Sequence, residues 1–537
     1  GLTQSEAPNK KMLLIRLTAL FLVALAATRV AWVADDSLIT LRTALNLTHG
    51  LGPGFNPNEA VQAYTHPLWF LIWSLLGALT GEWILGILTF SILCTVGAAW
   101  IVFQQAAQAW IVLAAAFALV FSNAFIEYAA SGLENPLAYV LLGLGVVLSW
   151  RVSQSPSPTK IAIILLGLTW AGIVLTRADL VLFILPSAIC VVWGMRRKWR
   201  SLSLLGSSTT GPIVIWFAWS YATYGSLLPN TFYAKRNVEI STAELLFRGV
   251  RYLVLSVTND PWTGLVLVTG TASILIFGAR FHKVQFLGVA LYFLYIMYIG
   301  GDFMSGRFLA VPVYVTVLTA VMALSGGVDQ KRLFPSLLSR PIGQQTVFAI
   351  VLFGAIPLIF LQSMNQLPTV LANPTFQRWD FDANAGIADE RGFSVEQGRS
   401  LTDWYRTIGA QDLVQGFSAV DEADARLTIG DLRELSAKWP QGPISGPTKE
   451  FGIACGGLGS LAMSTGPIVH WVDPCGLTDA FLASVPYSAY NLHWRSGHFE
   501  RDMPAGYLEA LKNEDPGMIE DPETERRLRE VWARVRS

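Results

Sequence analysis

The chain has 537 residues, 53% hydrophobic and only 14% charged, with 38 basic and 38 acidic side chains. Soluble domains carry about 25% charged residues, so a wholly soluble protein is excluded. A net charge of zero also argues against nucleic acid or another polyanion as partner.

Long apolar runs extend to about residue 363, and an ordinary soluble mixture follows. This composition shift predicts a transmembrane part, 1–365, and a water-soluble part, 366–537. A bilayer core of about 30 Å takes about 20 helical residues. Runs at 12–33, 82–104, 109–128, 133–150, 160–176, 179–194, 203–222, 262–280, 284–300, 307–325 and 344–363 read as eleven spans. The run 67–80 is shorter, carries Trp69 and Trp73, and reads as an interfacial or re-entrant segment. The first run follows Lys10 and Lys11 and reads as an uncleaved helix. Eleven spans place the basic loops at 151–160, 196–200, 280–283 and 331–340 on the cytoplasmic side with the N-terminus. The soluble part then faces the outside as a periplasmic domain.

The opposite loops carry polar groups that are costly at membrane depth and tend to be functional or mutually paired. The first, 34–81, opens with Asp35 and Asp36 and closes with Tyr64, Thr65, His66 and Pro67. Next come SGLEN with Glu134, TRAD with Arg177 and Asp179, and PNTFYAK with Asn230, Tyr233 and Lys235. GGDFMSGR, with Asp302 and Arg307, is the last. Five clusters on one side predict one shared cavity.

Paired carboxylates suit activation of an acceptor hydroxyl, and Lys or Arg suits a departing lipid phosphate. Asp35 and Asp36 are therefore the catalytic candidates, and Lys235 and Arg307 the phosphate candidates. Each has a plainer alternative. Asp36 could cap the helix 38–48. Lys235 could be an interfacial anchor. Asp302 with Arg307, and Arg177 with Asp179, could be internal ion pairs, and Glu134 could complement a helix dipole. His66 could bind phosphate or acceptor, or end the interfacial segment. The Gly50, Gly52, Gly54 run has neither the preceding strand nor the following helix of a nucleotide loop and reads as a turn.

In the soluble part, 401–409, 423–438, 505–511 and 520–535 read as helices and 451–473 as strand-like, an α/β or α+β domain. Cys455 and Cys475 lie there, and an extracytoplasmic setting predicts a disulfide between them. No zinc spacing is present, although a divalent metal stays open. His493, Trp494, Arg495 and His498 suit a sugar or anion surface.

The ordered motifs DDSLITLR, NLTHGLGPGFNP, VQAYTHPLW, SGLENPL, TRADL, YGSLLPNTFYAK, GGDFMSGRF, VDPCGLTDAFLA and RSGHFERDMPAGYL extend from about residue 30 to 512. They resemble the GT-C superfamily of polyprenyl-phosphate glycosyltransferases, and within it the terminal β-(1→2)-arabinofuranosyltransferases of actinobacterial cell walls. The resemblance implies a decaprenyl-phosphoryl-arabinofuranose donor and an arabinan acceptor in arabinogalactan or lipoarabinomannan. It implies a helical polytopic fold in the cell membrane and a periplasmic, carbohydrate-binding C-terminal domain. It favours Asp35 as the catalytic acid residue. It suggests Tyr64, His66, Asn230, Tyr233, Lys235, Asp302 and Arg307 for the donor. For the acceptor it suggests Glu134, Arg177, Asp179, His493, Trp494 and His498. A transferase for another polyprenyl-phosphate sugar such as mannose, or a lipid-linked glycan transporter, is the alternative. Transporters favour inverted repeats and mid-membrane sites, and neither is evident.

Overall fold

The computed structural model describes residues 10–326, 346–347, 349–372, 386–408, 413–442, 450–488 and 495–536. Every apolar run that falls on them is helical. Among the described residues, Lys10–Val30, Trp83–Gln105, Asn135–Gln154 and Arg307–Gly326 are each long and apolar enough to cross a membrane. Counting two bent pairs as one span each raises the number to six. Shorter apolar helices are Pro67–Thr80, Lys160–Thr176, Ala178–Gly194 and Ile350–Ser363. The molecule is thus a multi-pass helical membrane protein. The count of eleven spans exceeds what length and composition establish and stays an expectation.

Both bends have local causes. Ala109–Phe121 breaks by 73° before Asn123–Ala129, where the Ser122 hydroxyl accepts the Phe125 N–H at 3.3 Å and starts a new helix. Thr242–Asn259 breaks by 104° before Pro261–Phe277. There Asp260 caps the new helix, its carboxylate accepting the Thr263 N–H at 3.2 Å, and Pro261 cannot continue the old one. Thr242–Asn259 lies in a loop where no helix was expected. Its exposed Leu246, Phe247, Val250 and Val254 make it amphipathic, a pattern distinct from the continuous apolar runs that mark spans.

Arg307–Gly326 is apolar all round and sits at the centre, buried from Leu309 to Ala323. It packs on Pro261–Phe277 and Arg280–Tyr298. The Tyr314 hydroxyl, deep in this core, donates to the Ala98 carbonyl at 3.1 Å.

The C-terminal part mixes short helices and strands and is built onto the loop 34–66. Glu450–Ile453 pairs in parallel with Val469–Val472, with Leu458–Thr465 as the helical crossover that parallel strands require. Val238–Glu239, from the PNTFYAK loop, pairs in parallel with Tyr487–Ser488. Leu38, Leu41 and Leu45 share a core with Ile429, Leu432, Leu435 and Trp439. A buried arginine fastens the join. Arg42 donates to the carbonyls of Phe55 at 2.9 Å, Gly466 at 2.8 Å and Val469 at 2.9 Å, and to that of Ala462. Cys455 and Cys475 form a disulfide with Cα atoms 5.4 Å apart.

Candidate active site

Asp35 and Asp36 open the helix Asp35–Thr48, where the helix dipole favours negative charge. Adjacent helical positions point apart, and the two carboxylates have different fates. Asp35 accepts the backbone N–H groups of Gly459 at 3.0 Å and Ser460 at 2.8 Å, and the Ser460 hydroxyl. Arg399 stands 3.8 Å away. Two helix N-termini thus meet at Asp35, closely enough to require a glycine. A Cβ at Gly459 would stand 2.1 Å from the Asp35 carbonyl oxygen.

Asp36 turns the other way, toward Arg307. Arg307 stands 3.6 Å from each of Asp36, Asp302 and Glu134. Glu134 also meets Arg177 at 3.0 Å, and His66 Nδ1 lies 3.5 Å from its other oxygen. Arg177 is held flat by Asp179, which it engages at 3.0 and 2.8 Å, while the Tyr292 hydroxyl donates to Asp179 at 3.0 Å. Thr40 shares a hydrogen bond of 2.8 Å with His66 Nε2. Four of the polar loops therefore converge at one end of the bundle.

Several partners in this cluster are missing. His66 Nδ1, Glu134 Oε2, Asp302 Oδ2 and Arg307 Nε are buried without a hydrogen bond among the described residues, and His498 Nδ1 joins them. Each such atom costs about 1–3 kcal/mol, and native proteins hold few of them. Their concentration around Asp36 marks a site shaped for something other than itself.

The electrostatics follow from burial and charge. Burial alone would raise the Glu134 carboxyl, but the neighbouring cations hold it down to about 2. Burial pushes His66 down to about 4 against the pull of Glu134, so its ring is neutral near pH 7. Arg307 and Arg177 are then the charges that keep Glu134 ionised. Burial also raises Asp36 and Asp302, with Arg307 opposing it in both.

The C-terminal segment reaches the same place. The His498 ring stands edge-on to Phe303, centroids 4.6 Å apart. A Cβ at Gly497 would come 3.2 Å from Lys235 Nζ. Burial lowers His498 to about 3, so it too is neutral. His493 and Trp494 lie outside the described residues.

Other expected site residues have structural duties instead. Asn230 donates to the carbonyls of Gly476 at 2.7 Å and Leu477 at 3.2 Å, tying its loop to the disulfide turn. Tyr64 stacks on Phe70 at 4.0 Å and bonds the Tyr224 hydroxyl at 2.9 Å. Tyr233 is 40% exposed and its hydroxyl accepts from Ser226 at 3.3 Å. Glu134 and Arg177 share the Arg307 cluster, so no boundary separates donor from acceptor groups there. Asp179 serves Arg177. Sequence reasoning missed Thr40, although Asp36 and Thr40 stand one helical turn apart on one face. It also missed Arg399, for which no signal exists. Among the described residues, Cys455, Asp473 and Cys475 have ligand atoms within 4.8 Å of one another, but the two sulfurs are joined to each other.

No protein-family model matches the chain. It is 26% identical over 365 residues to the terminal β-(1→2)-arabinofuranosyltransferase of Corynebacterium glutamicum, covering 58% of this chain and 52% of that protein. It is 26% identical over 326 residues to the protein of the same name from Mycobacterium tuberculosis, covering 53% and 51%. The chain spans about half the length of the curated relatives it matches. Among solved structures it resembles ArnT from Cupriavidus metallidurans, crystallised with undecaprenyl phosphate. The TM-score is 0.52 at 14% identity, over 88% of each chain. The fold is GT-C. In that frame the Arg307 cluster lies where the first loop, the later polar loops and the C-terminal segment meet.

Proposed function

We propose that this protein is a membrane glycosyltransferase that moves arabinofuranose from decaprenyl-phosphoryl-arabinofuranose to the non-reducing ends of cell-wall arabinan, forming terminal β-(1→2) linkages. The observation that carries the reading is the ring of unpartnered buried polar atoms around Asp36, in a chain similar to terminal β-(1→2)-arabinofuranosyltransferases. Arg307, with Arg177 and Lys235 nearby, supplies the positive charge that a departing lipid phosphate needs. Asp36 is the carboxylate with a free approach. It takes the acceptor hydroxyl proton as the new oxygen–carbon bond forms, and the phosphate leaves with the electron pair of the bond it loses. Asp35, already engaged by two N–H groups, a hydroxyl and Arg399, holds the loop in place. Neutral His66 and His498 offer ring nitrogens to sugar hydroxyls.

A donor and product of the same β configuration require retention. Because Asp35 is committed elsewhere, a front-face path that uses Asp36 alone of the two adjacent carboxylates fits better than a double displacement by the pair. The N-terminus is cytoplasmic and the site faces the periplasm in this reading, with the C-terminal part supplying a wall of the acceptor channel.

The test uses the purified full chain in lipid nanodiscs, a synthetic prenyl-phosphate arabinofuranose and an arabinan oligosaccharide. The expected result is one terminal arabinose added, at a rate about 10³-fold lower with Asp36→Asn. A prenyl-phosphate mannose donor runs in parallel. Transfer of mannose instead would redirect the substrate, and transfer of neither would overturn the reading.

A further inference from the structure

The amphipathic helix Thr242–Asn259 has no part in the roles above, yet it is fastened to the loop that carries Asp302 and Arg307. The Tyr252 hydroxyl donates to the Met304 carbonyl at 3.0 Å and accepts the Phe308 N–H at 3.1 Å. The Gly306 N–H donates to the Ser256 hydroxyl at 3.4 Å. A Cβ at Gly249 would stand 2.6 Å from the Met297 carbonyl oxygen, so this side of the helix sits directly on Arg280–Tyr298. Gly249, Tyr252 and Ser256 are its buried stripe, while Leu246, Phe247, Val250 and Val254 are exposed. The helix turns 104° away from Pro261–Phe277, which packs along the central helix Arg307–Gly326. It therefore runs across the bundle axis, the orientation of a helix that lies in the membrane surface with its apolar side in lipid.

A row of charge runs along the flank of this helix. Glu244, Arg248 and Arg251 stand one helical turn apart. With Phe247, Gly300 and Asp302 they line a cleft of about 60 Å³. That is room for about four waters, hence for the few heavy atoms of a phosphate group but not for a lipid chain. Arg248 is engaged by Glu244 at 2.9 Å. Arg251 is exposed and makes no hydrogen bond or ion pair among the described residues. Asp302 stands 3.6 Å from Arg307, so the cleft adjoins the Arg307 cluster.

We propose that this cleft is a staging site for the lipid-phosphate donor, with the phosphate on Arg251 and Arg248 and the prenyl chain against Leu246, Phe247, Val250 and Val254. The proposal rests on the function proposed above and adds a binding step before the donor meets Arg307. A plain membrane anchor needs the apolar side and a basic rim, but not a cleft that shares Asp302 with the Arg307 cluster. Glu244 is paired with Arg248, which leaves Arg251 as the net positive charge facing the phosphate. Asp302 opposes it. The hold is therefore weak, and the phosphate passes on to Arg307, where Arg177 and Lys235 add positive charge.

Photo-cross-linking of the full chain in nanodiscs tests the site without chemistry. The probe is a prenyl phosphate that lacks the sugar and carries a photoreactive group near the phosphate. Its cross-links should map to Thr242–Asn259 and fall about tenfold with Arg251→Gln, the scale of one charge-assisted hydrogen bond. Unlabelled prenyl phosphate should displace it. Equal displacement by phosphatidylglycerol at the same mole fraction would mark a general anionic-lipid surface and overturn the proposal, as would cross-links confined to other segments. In the transfer assay, Arg251→Gln should raise the donor KM about tenfold, by more than kcat falls. Phe247→Ser should cost a long-chain donor about fivefold more in kcat/KM than a two-isoprene donor, because only the long chain reaches that side of the helix. An unmoved KM in Arg251→Gln, or equal losses on the two donors in Phe247→Ser, overturns the staging site. If wild type transfers nothing, the functional reading fails while the cross-linking still decides the site.

Discussion

Two regions of this molecule bury arginine, and they are built in opposite ways. Arg42 and Arg501 are 0% and 4% exposed, and every guanidinium nitrogen of each donates to a backbone carbonyl. Arg307 is surrounded by three carboxylates, yet each stands 3.6 Å away and its Nε has no hydrogen-bond partner among the described residues. The first arrangement is complete and serves as a clamp between the membrane bundle and the C-terminal part. The second is incomplete and waits for an anion. Satisfaction of hydrogen bonds, rather than burial or charge, separates a structural arginine from a functional one here.

The largest expected effect tests the incomplete region. Asp36→Asn should lower transfer by about 10³-fold, the scale of a lost general base, with thermal unfolding unchanged. Asp35→Asn should do the reverse in kind. It leaves the Gly459 and Ser460 N–H groups and Arg399 short of an anion, so unfolding shifts down before activity falls. Equal activity losses with equal unfolding shifts would erase the distinction between the two carboxylates.

Arg42→Leu addresses the clamp. It orphans the carbonyls of Phe55, Gly466, Val469 and Ala462. The expected cost is about 3 kcal/mol or more, read by thermal unfolding. Residual activity per folded molecule should stay near wild type. A variant that unfolds normally would show that the clamp contributes little.

The two regions were not equally legible in the sequence. The helices were, because apolar runs and Pro or Gly breaks set helix positions directly. The convergence of four loops was legible too, since Asp36, Glu134, Arg177, Asp302 and Arg307 beside apolar runs need a reason to be there. The clamps were not, because a backbone carbonyl leaves no mark in a sequence, and nothing distinguishes Arg42 from a solvent-facing helix arginine. Asn230 and Tyr64 make ties that the sequence does not mark, for a related reason. A polar residue in a functional loop ties the loop down as readily as it touches substrate.

Arg307→Lys is next in size. Lysine keeps the charge but, as a compact ammonium, cannot serve three carboxylates and a phosphate through a planar fork. Transfer should fall about 10–100-fold, close to a 2 kcal/mol loss, with donor affinity reduced more than turnover. An unaffected KM for donor would place the phosphate elsewhere.

The smallest effect separates the two regions by proton chemistry. The Thr40 hydroxyl and His66 Nε2 are 2.8 Å apart. With the Nδ1 proton directed to Glu134, Nε2 accepts from Thr40, and a hydrogen bond to the neutral ring disfavours its protonation. His66 is already held near 4 by burial, against an ordinary 6.5. Folded His66 therefore refuses a proton that the unfolded chain accepts between those values, so this ring makes stability fall as pH drops from about 6.5 to about 4. Thr40→Val removes one hydrogen bond worth about 1 kcal/mol, so transfer should fall about fivefold. It also frees Nε2 for a proton, so the acid limb of the transfer profile should move toward neutral pH. A fivefold loss with an unmoved acid limb would make Thr40 part of the scaffold, a member of the complete region rather than the incomplete one.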